Sequence, residues 1–531
     1  MFEAFPGSES RRHVVDSAFA ALLLALPIGF GYAVLAPDRI GLREATVRPQ
    51  RVVVASLTPA PMLVAPHITP AAPAPETPIP IPPPPVASPK PLPVALVPPQ
   101  AIPMPPAVVP APALVPAPAK PDVPRIGWPS TVTGRVVDPD GRPVTGASIV
   151  FAGSEHRTGE DGSFTVSPPP YASLIAKRPG YARTIVEPTR ERVEIVLRPQ
   201  VVKAAYLTYF GVGDRGIRSR VLDLIARTEL NAVVIDVKGD RGWVLYPTKV
   251  ELALSAGAQG PATLREFDSL MADLKARGIY TIARIVTFKD NILAHHRPDW
   301  AVTDTRTGKP WIDRENLAWM DPFREEVWNY NIALGHEAIE RGFDEVQFDY
   351  VRFPTDGKLN AAKYSRPVNR ETRLPTIAAF LQLARRELGG HGAYVSADVF
   401  GYVAFNENDT DIGQRVEELA PNLDYICPMV YPSGYHVGIP GYRNPVQNAY
   451  HVVHESVRLI AKRAAHTQVR VRPWLQDFRD YAFDRRIFGV TEIRDQIRGA
   501  DEGGGAGFML WNPRNDYTAA ALRGKSPLVE K

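Results

Sequence analysis

From Val201 onward, short apolar β-prone segments alternate with amphipathic helical stretches, and this alternation confines the chain to an α/β fold. The predicted strands are Ala204–Phe210, Ala232–Lys238, Tyr280–Phe288, Val346–Phe353, Tyr394–Phe400, Tyr425–Tyr431, Val469–Phe478 and Gly507–Trp511. Between them the pattern predicts helices over 218–228, 263–277, 325–341, 374–388, 411–419, 448–464 and 490–501. Gly278 and Gly342 follow two of these helices and act as stop signals. Eight strands separated by helices suggest a (β/α)8 barrel over residues 201–525. The competing architecture, a doubly wound open sheet, is disfavoured because no Gly-rich dinucleotide fingerprint follows the first strand.

In the fourth predicted strand, Asp349 sits in a run that otherwise reads as buried and ends at Pro354. A carboxylate there is costly unless it is paired, hydrogen-bonded or facing a cleft. In a parallel barrel the C-terminal strand ends floor the active site. Asp349 therefore faces such a cleft, or it forms a packing ion pair with a partner such as Arg352. Other polar residues recur at strand ends: Asp236 and Lys238, Arg284, Asp398, Tyr431, Gln476 and Asp477. Glycoside hydrolysis needs two carboxyl groups across one bond, one protonated and one ionised. Neighbouring strands carry Asp349, expected as nucleophile or base, and Asp398, expected as general acid. Arg284 or Arg352 would keep Asp349 ionised. Asp236 and Asp477 are alternatives for either role or contacts for sugar hydroxyls, and Asp236 could instead pair with Lys238. Pyranose rings present apolar faces, so Trp243, Trp311, Trp319, Tyr431, Trp474 and Trp511 are candidate stacking platforms. The long Trp-rich segment 290–321 is a candidate groove wall.

No cofactor or metal is called for. His295-His296 lacks the acid spacing of a zinc site, and no Gly-x-Ser-x-Gly elbow occurs. The oxygen-rich loop 406–411 reads as a calcium loop or as a solvated acidic turn. The single cysteine, Cys427, precludes an intrachain disulfide. A net charge of +4 without basic clusters interleaved with aromatics gives no nucleic-acid footprint.

Upstream, residues 17–36 form an uncharged apolar run behind Arg11 and Arg12, long enough to span a bilayer. Residues 1–40 thus read as a transmembrane signal anchor, with a cleavable signal peptide as the other reading. Either predicts export, to a membrane-tethered periplasmic position or by secretion. Many of the chain's 55 prolines fall in residues 41–127, a Pro/Ala/Val-rich spacer expected to favour polyproline II. Residues 128–200 hold short alternating strands with Asp-Gly turns, the pattern of a small β-sandwich.

The run GRVVDPDGRPVTGASIVF followed by EDGSF resembles the carboxypeptidase regulatory-like domain over residues 129–199. That resemblance implies a structural or binding accessory. The segments NAVVIDVKGDRGWVLYP, DEVQFDYVRFPTDG, VSADVFGY, LDYICPMVYPSGY and RPWLQDF resemble a glycoside hydrolase domain family formerly of unknown function, over residues 203–520. The resemblance implies an amylase-like barrel with its nucleophile ending the fourth strand and its acid on the fifth or a later one. Asp349 and Asp398 occupy those places, Asp398 where amylase-type enzymes commonly carry Glu. The expected activity is cleavage of an extracytoplasmic polysaccharide. The alternatives are a non-catalytic carbohydrate-binding envelope protein and, more weakly, a deacetylase, for which no His constellation is present.

Overall fold

The fourth barrel strand, Glu345–Asp349, carries a polar residue at every second position. Because side chains alternate across a strand, Glu345, Gln347 and Asp349 all face the barrel axis. Val346 and Phe348 face the opposite way and pack in the layer under the helices. Such a strand is stable only inside a closed barrel whose other strands supply polar partners.

The computed structural model describes residues 128–261 and 263–525. The expected membrane segment and proline-rich spacer lie outside the described residues. Among the described residues no helix is long and apolar enough to cross a membrane.

Eight parallel strands close the barrel: Val202–Leu207, Ala232–Lys238, Tyr280–Val286, Glu345–Asp349, Tyr394–Phe400, Tyr425–Met429, a split seventh strand and Gly507–Trp511. The seventh consists of Arg470–Val471 and Trp474–Gln476. Pro473 interrupts it because proline cannot donate to a ladder. Pairing of the fifth strand with the sixth completes the closure. The fourth strand stops at Asp349, short of the expected Phe353, because Tyr350 adopts a left-handed backbone with φ of 48°. The helix expected over 411–419 is only Val416–Leu419, since Thr410 and Asp411 are also left-handed. Two of the three acids of that oxygen-rich loop, Asp409 and Asp411, pair with Arg373.

Polar layers stack inside the barrel. Lowest is Glu345, which accepts from Tyr280 at 2.9 Å, from Ser396 at 2.5 Å and from Arg472. Above it, Gln347 contacts Cys427 and Met509. Asp349 belongs to the top layer.

Two small sheets form the sandwich. One places Val132–Val137 between Ser163–Val166 and Arg192–Val196. The other orders Ser154–Arg157, Ser148–Phe151, Leu174–Lys177 and Thr184–Val186. The sandwich covers the N-terminal ends of the barrel strands. Tyr394 Oη donates to the carbonyl groups of Arg178 and Tyr181, and Gly180 N donates to Tyr425 Oη at 2.9 Å. Arg385 pairs with Glu155, and Arg183 with Asp344. Lys177 is fully buried at this junction, where it donates to the Ala393 carbonyl and lies 3.7 Å from Asp424.

Burial pushes the Lys177 ammonium down to about 8 from an ordinary 10.5, with Asp424 opposing. Between those values the unfolded chain binds more protons than the folded one, so stability rises with pH there and is lost as pH falls through about 8. We expect the melting temperature of Lys177→Met to lack this rise when the two proteins are melted side by side from pH 7 to about 10.5. Parallel curves would contradict the assignment.

Candidate active site

At the C-terminal mouth of the barrel, one guanidinium meets three carboxylates. Arg284 faces inward from the third strand, between the second and fourth. Its Nη1 donates to Asp236 Oδ1 at 2.5 Å. Its Nε and Nη2 donate to Asp349 Oδ2 at 3.0 and 2.5 Å. Asp398 Oδ2, on the fifth strand, lies 3.9 Å from the same Nε. The rings of Tyr206 and Trp511, stacked on each other with centroids 4.1 Å apart, lie 5.7 and 5.2 Å from the guanidinium.

Each acid has a distinct second partner. Asp236 accepts from Tyr206 Oη at 2.5 Å. Asp349 Oδ1 accepts from the backbone N–H of Tyr350 at 2.5 Å, a contact made by the left-handed turn that ends the strand. Non-glycine residues in that conformation are strained and concentrate at functional sites. Asp398 Oδ1 accepts from the Trp474 indole N–H at 2.7 Å, whereas Asp398 Oδ2 is buried without a hydrogen-bond partner. Burial drives the Asp398 carboxyl well above the ordinary range; the charge of Asp349 adds to the shift and Arg284 opposes it. Asp236 is also raised by burial, with Arg284 opposing.

The cleft therefore gathers Asp236, Arg284, Asp349, Asp398, Tyr431, Trp474 and Trp511 among the residues expected from sequence. Trp474 is fully buried and positions Asp398, so it offers no platform. Tyr431 and Trp511 are half-buried.

Four candidates from the sequence lie elsewhere. Lys238 turns toward the helical layer, where it pairs with Asp290 at 2.7 Å beneath the Tyr330 ring. A bulge near the end of the second strand shifts the register there and reverses its direction. Asp477 accepts from Thr518 N and Oγ1, and burial pushes its carboxyl up to about 6. Gln476 is committed to Ser433 and the Phe478 carbonyl. Arg352 faces the rings of Trp319, Tyr350 and Phe400 rather than Asp349. Among the expected platforms, Trp243 is half-buried and packs near Tyr209, while Trp311 and Trp319 are buried with their indole N–H groups bonded to Lys358 O and Asp313.

Sequence reasoning missed a group at the end of the third strand. Lys289 donates to Glu315 at 2.6 Å, lies 3.0 Å from Asp313 and sits over the Tyr350 ring. Glu315 is a quarter exposed, and its carboxyl is raised by burial against the opposing charge of Lys289. Its location on the long 290–321 segment was the available signal.

The chain belongs to the family described as "putative glycosyl hydrolase domain", whose model matches residues 204–517. Residues 131–198 match the carboxypeptidase regulatory-like domain. No curated protein matches the chain. Among solved structures, a hypothetical protein from Ruminiclostridium thermocellum ATCC 27405 is 36% identical, covering 37% of this chain and 97% of its own, with a TM-score of 0.33. The PgaB (BpsB) glycoside hydrolase domain from Bordetella bronchiseptica is 12% identical, covering 62% and 100%, at 0.44. The spore cortex-lytic enzyme SleL from Bacillus megaterium QM B1551 is 11% identical, covering 63% and 78%, at 0.37.

Arg284→Ala should strand three buried carboxylates without their cation, at a cost of about 3–5 kcal/mol. Because Asp236 and Asp398 take up protons more readily than ordinary carboxylates, this deficit should shrink as pH falls toward 5. Urea unfolding at pH 8 and pH 5 checks it; a pH-independent deficit would contradict the charge account.

Proposed function

We propose that the chain is a glycoside hydrolase that cleaves an extracytoplasmic polysaccharide through Asp349 and Asp398. The observation that carries this reading is the buried Asp398 Oδ2, which accepts no hydrogen bond. A buried carboxyl with raised proton affinity, fixed by Trp474 on one oxygen and free of hydrogen bonds on the other, is built to donate a proton. Asp349, which accepts every hydrogen bond the site gives it, is the nucleophile.

The separation of the pair bears on stereochemistry. Both Oδ2 atoms lie near Arg284 Nε, at 3.0 and 3.9 Å, which caps their distance at about 6.9 Å. That bound accommodates the retaining arrangement, with carboxyls about 5–5.5 Å apart, and also the lower end of the inverting range of about 6.5–9.5 Å; we take the retaining course. In the first step Asp349 attacks the anomeric carbon while Asp398 protonates the departing glycosidic oxygen. In the second, Asp398 takes a proton from water, which displaces Asp349 and releases the sugar. Asp398 is 1% exposed without substrate, so the side chains over it must part as the sugar enters.

Glu315 supports a second assignment of the acid, since it combines raised proton affinity with greater exposure. Three variants separate the roles. Asp349→Asn should abolish turnover of envelope and capsule polysaccharides while circular dichroism stays unchanged; full activity would eliminate the nucleophile. Asp398→Asn should lose about 10²–10⁴-fold on poor leaving groups and far less on activated aryl glycosides. If that leaving-group dependence follows Glu315→Gln instead, the acid is Glu315.

A further inference from the structure

A row of partly exposed rings leads away from the acids, from the end of the eighth strand and the loops after the sixth and seventh. Trp511 begins it, against Tyr206. Tyr431 follows with its centroid 6.4 Å from Trp511, then Phe478 at 5.6 Å from Tyr431. Tyr481 lies 6.2 Å from Phe478 with ring planes 7° apart. His436 is 6.5 Å beyond, and Phe483 stacks 6.5 Å from His436. Each of Trp511, Tyr431, Phe478, Tyr481, His436 and Phe483 is only partly buried. The row is continuous with the reaction site, since Trp511 stacks on Tyr206 and lies 5.2 Å from the Arg284 guanidinium that holds the acids.

The loop carrying the outer rings is held rigidly. Asp480, 2% exposed, accepts from Ser433 Oγ at 2.6 Å and from the backbone N–H groups of Ala482, Phe483, Asp484 and Arg485 at 2.8–3.1 Å. Gln476 clasps Ser433 from below. These bonds fix where Tyr481 and Phe483 stand relative to Tyr431. Leaving a line of large rings partly in water forgoes burial energy that the fold could have used. Rings spaced by about one pyranose length offer successive apolar C–H faces a place to stack.

We infer that this row is a polysaccharide track, binding consecutive pyranose units on one side of the cleaved bond. The inference rests on the carbohydrate reading of the cleft and assigns the binding of the sugars beyond the cleaved bond to these rings. It is tested by native affinity electrophoresis of the full chain carrying Asp349→Asn, in gels cast with hydroxyethyl cellulose, chitosan, alginate or hyaluronan. At least one polymer should retard the protein. Adding Tyr481→Ala or Phe483→Ala should weaken that retardation about tenfold in Kd, and Tyr481→Phe should restore it, because stacking needs the ring and not the hydroxyl. Retardation unchanged by both alanine variants, or none in any gel, would overturn the track. Full turnover by Asp349→Asn would sink the catalytic assignment alone, because retardation requires no chemistry.

Discussion

One positive charge shared among three negative ones governs the mouth of this barrel. Arg284 cannot neutralise Asp236, Asp349 and Asp398 together, and the site is too dry for water to do so. The imbalance is resolved by geometry. Asp349 receives two of the guanidinium's hydrogen bonds, Asp236 receives one with help from Tyr206, and Asp398 stands farthest away. The most distant acid is the one burial drives most strongly toward its protonated form. The raised proton affinity of Asp398 thus follows from its place in the site and not from its chemical type.

The rest of the fold holds that geometry in place. The fourth strand supplies Asp349 from the same face that places Glu345 and Gln347 lower in the barrel. Glu345 and Arg472, both fully buried, anchor the strand at the bottom. The turn at Tyr350 then bends the chain sharply enough to bring a backbone N–H onto the Asp349 carboxylate.

Much of this was legible in the chain. Hydrophobic periodicity located all eight strands, because buried parallel strands leave compact apolar runs. It also brought out Asp236, Arg284, Asp349 and Asp398, since ionisable residues are rare inside such runs. Direction at strand ends was harder to read. Lys238 follows a bulge, and a single register shift turns it away from Asp236. Asp477 and Gln476 are held by Thr518 and Ser433, partners from segments with no periodic signature. Trp311 and Trp319 pack as the core of their own loop, which composition could not distinguish from a groove wall. The Lys289–Glu315 contact was hidden for the same reason, since it closes a long irregular segment rather than joining two strands.

The junction beneath the barrel has a practical corollary for anyone dissecting the chain. The Tyr394 and Tyr425 hydroxyls, the Ala393 carbonyl and Asp424 all find partners in residues 177–181. A recombinant fragment starting at Val201 would bare that whole polar underside together with the apolar surface around it. The accessory module is therefore a foundation slab rather than a detachable appendage, and the shortest piece worth expressing begins ahead of its first strand, at Val132.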